Sequence, residues 1–263
     1  MARPATLRRP RADAAPAAPA DAAPAAPAEA TAAAAAAPRA LRQRAVADAK
    51  RQLVLAAARE AFLELGLERA SLREIARRAG YTPGAIYSYF ASKEEMYAAL
   101  LGESLERLNA AVAAPAAGDD AATELRARAI AFFDFYRQHP RDLDLGFYLF
   151  DGMQPRGLTP ALNDALNARL RDALTPSRQA LQALGLGVAA AQAETTALFA
   201  QIVGLLVLSH TGRIRMFRQS AQVLFARHLD ALIVRCESMS TSTHAAVART
   251  TRARPRRPQE TPR

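Results

Sequence analysis

Tryptophan is absent and cysteine occurs once, at Cys236. A lone thiol cannot close a bridge within the chain, and the four histidines join no cluster with metal-ligand spacing. A disulfide scaffold and a zinc site are thereby excluded, no cofactor or metal is expected, and a reducing, cytoplasmic compartment fits. The longest apolar run, around Leu198–Leu208, falls short of the ~20 residues that cross a bilayer and is broken by Gln201. Arg8, Arg9 and Arg11 precede no leucine-rich stretch, so neither a secretory nor a twin-arginine leader is expected. G-x-S-x-G, a P-loop and H-E-x-x-H are all missing, and GLGV at 185–188 follows no strand signal, which leaves little case for an enzyme.

What the sequence holds instead is helix-forming apolar material and unevenly placed charge. Half of the 263 residues are hydrophobic, enough for a core. The ends differ: DAAPAAPA occurs at 13–20 and again at 21–28, and such frequent prolines remove backbone donors. Residues 1–40 are therefore expected as a disordered or partly polyproline-like arm, and 238–263, ending RTTRARPRRPQETPR, as a disordered basic tail. The net charge of +10 concentrates at 41–93, with ten Lys/Arg against five acids, and at 240–263, with six against one. Residues 94–239 carry fourteen against sixteen. A polyanionic partner is implied for the front of the folded body only.

Helical periodicity recurs while strand signals are nearly lacking. Val54, Ala57, Ala58, Ala61, Phe62 and Leu65 make one stripe, which Gly66 closes. Ser71 with Glu74 reads as a capping box for a second helix, which Gly80 ends after two turns. Thr82 caps a third, with Pro83 where its missing N–H costs nothing. Ser92 with Glu95 opens a longer helix to about Val112. Short helices around a tight glycine turn constitute a helix-turn-helix. Further helices are expected near 121–138, 141–151, 160–184, 188–211 and 218–237. The fold class is all-α: an N-terminal three-helix helix-turn-helix domain (41–96), then a larger helical domain (97–237).

The stretch QLVLAAAREAFLELGLERASLREIARRAGYTPGAIYSYFASKEEMYAALL at 52–101 resembles the DNA-binding domain of the TetR family of bacterial transcriptional regulators. The resemblance covers about fifty residues and implies a homodimer whose third helices enter successive major grooves of a palindromic operator. It also implies a C-terminal helical domain that binds a small molecule and holds the dimer; most members repress until ligand releases them. On this footing Thr82, Pro83, Gly84 and Ala85 form a narrow groove-entering end, and Tyr87, Tyr89 and Lys93 inherit the family's phosphate contacts. Ser71 and the amides beside it suit a phosphate, and Arg73 suits guanine or a phosphate. Arg77 and Arg78 read as a solvated face or as contacts, and Arg42, Arg44, Lys50 and Arg51 as a basic lead-in or a reach to the flanking backbone.

Beyond the front domain, Phe132, Phe133, Phe135, Tyr136, Phe147, Tyr148 and Phe150 cluster. Phe132, Phe133, Tyr136, Phe147, Tyr148 and Phe150 are candidates to line an apolar ligand cavity; ordinary core is the competing reading for each. Leu198, Ile202, Leu205 and Leu206 form one stripe, and Leu224, Phe225, His228, Leu232 and Cys236 another. In the family such helices pair with their twins, so Leu198, Ile202, Leu205, Leu224, His228 and Leu232 are expected at a homodimer interface, unless one helix is central core. The functional expectation is a repressor that binds an operator in double-stranded DNA and is released by an unidentified small-molecule effector, with no membrane association. The alternative is an architectural, weakly specific DNA binder using the basic tails.

Overall fold

The computed structural model describes residues 28–116, 118–147 and 158–252, with side chains described for 39–116, 118–147 and 158–239. All regular structure there is helical: α1 (Ala28–Arg69), α2 (Leu72–Ala79), α3 (Pro83–Ile86), α4 (Lys93–Ala113), α5 (Ala121–Gln138), α6 (Pro140–Phe147), α7 (Pro160–Ala183), α8 (Val188–His210), a 3-10 turn (Arg213–Phe217) and α9 (Ala221–Arg252). The chain divides into two units, Met1–Ala49 and Lys50–Arg263. In the first, every side chain described, from Arg39 onward, is exposed.

Hydroxyl and carboxylate caps start five of these helices. Ser71, Thr82, Ser92, Asp120 and Thr159 each accept the backbone N–H three residues on, satisfying a donor that the helix itself leaves orphaned. At Ser92 the box is modified: the Glu95 carboxylate takes the N–H of Ala91, 2.7 Å away. Gly80 (φ 72°, ψ 26°) ends α2 in the left-handed conformation a side chain disfavours, and the Tyr81 N–H then reaches back to the Ala76 carbonyl at 2.9 Å. At Gly66 φ is 75° but ψ is 163°, so the residue kinks α1 instead of capping it, and the helix resumes as far as Arg69.

A continuous core runs from Val54, Ala58, Phe62, Ile75 and Ile86 at the front, through Tyr97 and Leu100 of α4, into the body. There α7 packs on α4, α5 and α8, and α8 packs on α9. Rings hold the layers together: Phe62 meets Tyr97 edge-on at 5.8 Å, and Phe133 stacks on Phe225 at 4.6 Å.

Three expectations about the chain's organisation change. Of the expected N-terminal arm, residues 1–27 lie outside the described residues, but the chain is helical from Ala28. The close Pro spacing stops at Pro27, and an alanine run with high helix propensity follows. The last helix was expected to stop at 237 and continues to Arg252, since no proline intervenes before Pro255. Of the helix expected at 141–151, the part to Phe147 is present and 148–151 lie outside the described residues. Finally, α8 is a 23-residue helix long and apolar enough to cross a membrane by composition, contrary to the estimate from its uninterrupted run. Here it buries Leu198, Ile202, Leu205 and Leu206 in the protein core.

Replacing Phe133 with Ala removes a ring that is 1% exposed and stacked on α9. Urea unfolding should show a loss of about 3–5 kcal/mol.

Candidate nucleic-acid interface and cavity

The front surface is built on a clamp between α1 and α2. Glu74 accepts from Arg77 at 2.7 and 2.9 Å and from Arg78 at 2.7 Å, while Arg78 also reaches Glu64 of α1 at 2.7 Å. Hydrogen bonds from Arg77, and then from Arg78, hold the Glu74 carboxyl down at about 2, and those from Glu64 and then Glu74 raise the guanidinium of Arg78. Arg78, expected as solvated face or DNA contact, is instead a structural tie with its side chain only 17% exposed. Arg77 remains exposed, though paired.

Lys93 is also committed. Its ammonium donates to the carbonyls of Leu67 and Glu68, at 2.7 and 2.8 Å, and so caps the end of α1 from the start of α4. Two of its three donors serve the fold, which leaves one for the phosphate contact expected of it. The two tyrosines differ as well. Tyr87 is 59% exposed, whereas Tyr89 is half-buried against the core, because the chain leaves α3 after Ile86 and turns its ring inward.

What remains outward is compact. Ser71, Arg73, Thr82, Pro83, Gly84 and Tyr87 are exposed, with Ala85 half-buried behind them. Arg73 lies in the first turn of α2 and has no ion-pair or hydrogen-bond partner among the described residues. A Cβ added at Gly84 would meet nothing within 4 Å, so the backbone there is open to close approach. Of the lead-in, Arg51 lies over the Phe90 ring at 5.0 Å and pairs with Glu103 at 3.5 Å.

In the body, a chamber of about 270 Å³ lies between α4, α6 and α7. Its wall includes Leu101, Leu105, Tyr136, Phe147, Leu166 and Leu170. Of the aromatics expected to line a cavity, Tyr136 and Phe147 do so. Phe132 sits behind them against Tyr136 and Phe199, and Phe133 is core facing α9. Tyr148 and Phe150 lie outside the described residues. The aliphatic wall from α4 and α7 went unread because its leucines look like any helix stripe; only their facing across the bundle makes a chamber. Burial drives the Tyr136 phenol well above its ordinary range, so it stays neutral, and it has no hydrogen-bond partner among the described residues.

Of the residues expected at a dimer face, Leu198, Ile202, Leu205 and Leu232 are at most 6% exposed within one chain. They fill the seam between α8, α9 and the rest of the body and are already buried within one chain; Leu224 and His228 are half-buried. The outward side of this pair instead carries Ala193, Ala197, Ala200, Gly204 and Leu208 on α8, with Val223 and Val234 on α9. The four-, three-, four- and four-residue steps along α8 keep its set on one face.

Residues 54–100 match the family of bacterial regulatory proteins named for TetR. Those residues thus resemble the DNA-binding domain of that family. Over 93 residues the chain is 39% identical to the HTH-type transcriptional activator FasR of Mycolicibacterium smegmatis, spanning 35% of this chain and 42% of that one. Over 63 residues it is 40% identical to the HTH-type transcriptional repressor BepR of Brucella suis, spanning 24% and 30%. It thus covers less than half of the length of either curated relative. Solved structures extend the likeness of fold. A TetR-family regulatory protein from Rhodococcus RHA1 superposes with a TM-score of 0.56 at 22% identity, over 71% of this chain and 96% of that one. The FadR regulator of Bacillus subtilis, solved in complex with stearoyl-CoA, gives 0.51 at 20%, over 69% and 97%. The helix-turn-helix followed by a helical domain is therefore the fold these solved regulators share.

The depressed Glu74 carboxyl sets a pH signature. Its folded value lies below its unfolded one, so its contribution is complete above about 4.5, falls as pH drops, and is gone below about 2. Amide exchange in α2 should accelerate through that window, and Glu74→Gln should remove the pH dependence.

Proposed function

We propose that this chain is a DNA-binding transcriptional regulator, acting as a repressor that leaves a palindromic operator when a small molecule binds the body. The observation that carries the DNA reading is the division of labour at the front. Neighbouring cations are tied into the fold, while Arg73, Thr82, Pro83, Gly84 and Tyr87 stay outward on a short helix pair. Thr82, Pro83 and Ala85 present a hydroxyl and methylene or methyl groups of the kind that read base edges. Arg73, the Ser71 turn and the Tyr87 hydroxyl suit phosphate oxygens. Tyr89 serves as packing under that surface, and Lys93 fixes its tilt.

Two copies are required, because a single reading head contacts one half-site, and half-sites lie about 34–36 Å apart along the duplex. The second copy docks on Ala197, Ala200, Gly204 and Leu208 of α8 with Val223 and Val234 of α9, where small side chains allow two helix pairs to approach closely.

The release mechanism passes through α6. Its Phe147 and Gly146 line the chamber, its Asp142 carboxylate is bound by Arg107 of α4 and Arg59 of α1, and its Leu145 carbonyl accepts the Tyr97 hydroxyl of α4. A ligand that binds better when α6 is displaced draws α1 and α4 with it and changes the spacing of the heads. Differential affinity for the two states is what shifts the population; equal affinity would shift nothing. The structurally similar FadR regulator of Bacillus subtilis was solved in complex with stearoyl-CoA, which supports a ligand-binding use of the chamber.

Binding to a selected operator across a salt series tests the docking. Arg73→Ala should weaken binding and flatten the log K against log salt slope by about one. Lys93→Ala should lower thermal stability first and leave the slope nearly unchanged. The surface assignment fails if Arg73→Ala binds with the parent slope. For assembly, Gly204→Arg or Val234→Arg should yield monomers in sedimentation, whereas a dimer that persists in both moves the interface elsewhere.

A further inference from the structure

Beside the apolar chamber, a second cleft of about 480 Å³ opens between α7 and α8. The two share Asn167 and Leu170 as lining. Their partition is made of rings: Phe147 of the chamber and Phe199 of the cleft lie 5.8 Å apart, centroid to centroid. The chamber alone falls short of the roughly 300–1,000 Å³ usual for a ligand site and the cleft lies low in that range, but they adjoin through side chains.

The chemistry differs from end to end. The chamber is mostly leucine and aromatic surface, with the amides of Asn163 and Asn167 and the Tyr136 hydroxyl as its polar groups; Tyr136 is only 1% exposed and its hydroxyl has no hydrogen-bond partner among the described residues. Tyr136 lines the chamber, so its hydroxyl is available to pair with a polar atom of an occupant. The cleft presents Arg171 and Arg178, two turns apart on one face of α7 and so about 10.5 Å apart along the axis. Neither guanidinium has an ion-pair partner among the described residues, although Asp172 lines the same cleft. The hydroxyls of Thr175, Thr195 and Thr196 donate to helix carbonyls at 2.7–2.9 Å, so the arginines are the strong donors left facing the space. Pro176 interrupts α7 between the two arginines and has no N–H for the Asp172 carbonyl four residues back, a natural point for the wall to give. From Asn163 in the chamber to Arg171 in the cleft, α7 rises about 12 Å, which sets the span.

We propose that chamber and cleft form one site for an elongated amphipathic anion: an apolar body, a negative group held by Arg171 and Arg178, and a hydrogen-bonding oxygen at its inner end against Tyr136. This deepens the ligand-responsive reading and rests on it for its regulatory meaning, but binding and release are read by separate measurements.

The test is calorimetric titration of the full chain with 10-hydroxydecanoate as probe, beside decanoate and 1,10-decanediol. Loss of a charge-assisted contact should make the diol bind about ten-fold or more weaker, and loss of the inner hydroxyl should weaken decanoate about three-fold or more. Arg171→Ala with Arg178→Ala should bring 10-hydroxydecanoate and the diol to similar affinity. Tyr136→Phe, which keeps the ring, should instead equalise 10-hydroxydecanoate and decanoate while retaining the charge preference. Equal binding of diol and anion, an unchanged affinity in the double arginine variant, or no binding of any of the three overturns the proposal. A probe that binds in this pattern yet leaves the operator complex intact supports the site and sinks only the release mechanism.

Discussion

The carboxylate of Asp142 is where the two halves of this protein meet. Its side chain is 6% exposed, and a charge so placed is tolerable only if it is well paired. One nitrogen of Arg107 lies 2.8 Å from both of its oxygens, and Arg59 approaches at 3.3 Å. These partners come from α4 and α1, while Asp142 belongs to the short helix that walls the chamber. Withdrawing that helix would strand an ion, so α6 moves together with its neighbours or hardly at all. The Tyr97 hydroxyl on the Leu145 carbonyl, and the Tyr97 ring on Phe62, add a second tie along the same route. A stiff, paired junction of this kind is what a two-state device needs, because a soft one would absorb a displacement at the chamber before it reached the front.

The front domain solves a related difficulty. A surface intended for a polyanion must carry cations, yet free cations repel one another and do little to fix helices in place. Here most of them are used internally. Arg78 ties α2 to α1, Lys93 caps α1 from α4, and Arg51 covers Phe90. The outward charge is left to few groups, beside small and tyrosine side chains. On the proposed reading, specificity would then be a matter of shape and hydrogen bonding at a narrow helix end, with a modest electrostatic share.

Much of this was legible in the sequence, and the parts that were not share a physical origin. Caps and glycine turns are local, so Ser71, Thr82, Ser92 and Gly80 could be placed from their neighbours alone, and the boundaries of α5 and α7 followed from periodicity and proline. Side-chain destinations across helices are not local. Nothing near Lys93 in the sequence announces that its ammonium ends on carbonyls 25 and 26 residues earlier. Likewise, a leucine stripe on α8 reads the same whether it faces a twin or its own core, and the structure puts Leu198, Ile202 and Leu205 in the core. The cavity was half legible. Aromatic clustering pointed to Tyr136 and Phe147, but α4 and α7 supply most of the wall, and Arg171 and Arg178 acquire meaning only once α8 is seen opposite them.

The central claim is that two copies of the α2–α3 surface read neighbouring turns of one duplex. Selection of bound sequences by the full-length protein from a random pool of double-stranded DNA tests it most directly. The account predicts enrichment of an inverted repeat whose half-sites are centred about one helical turn apart. Enrichment of a single unrepeated half-site, or of no motif at all, would contradict it.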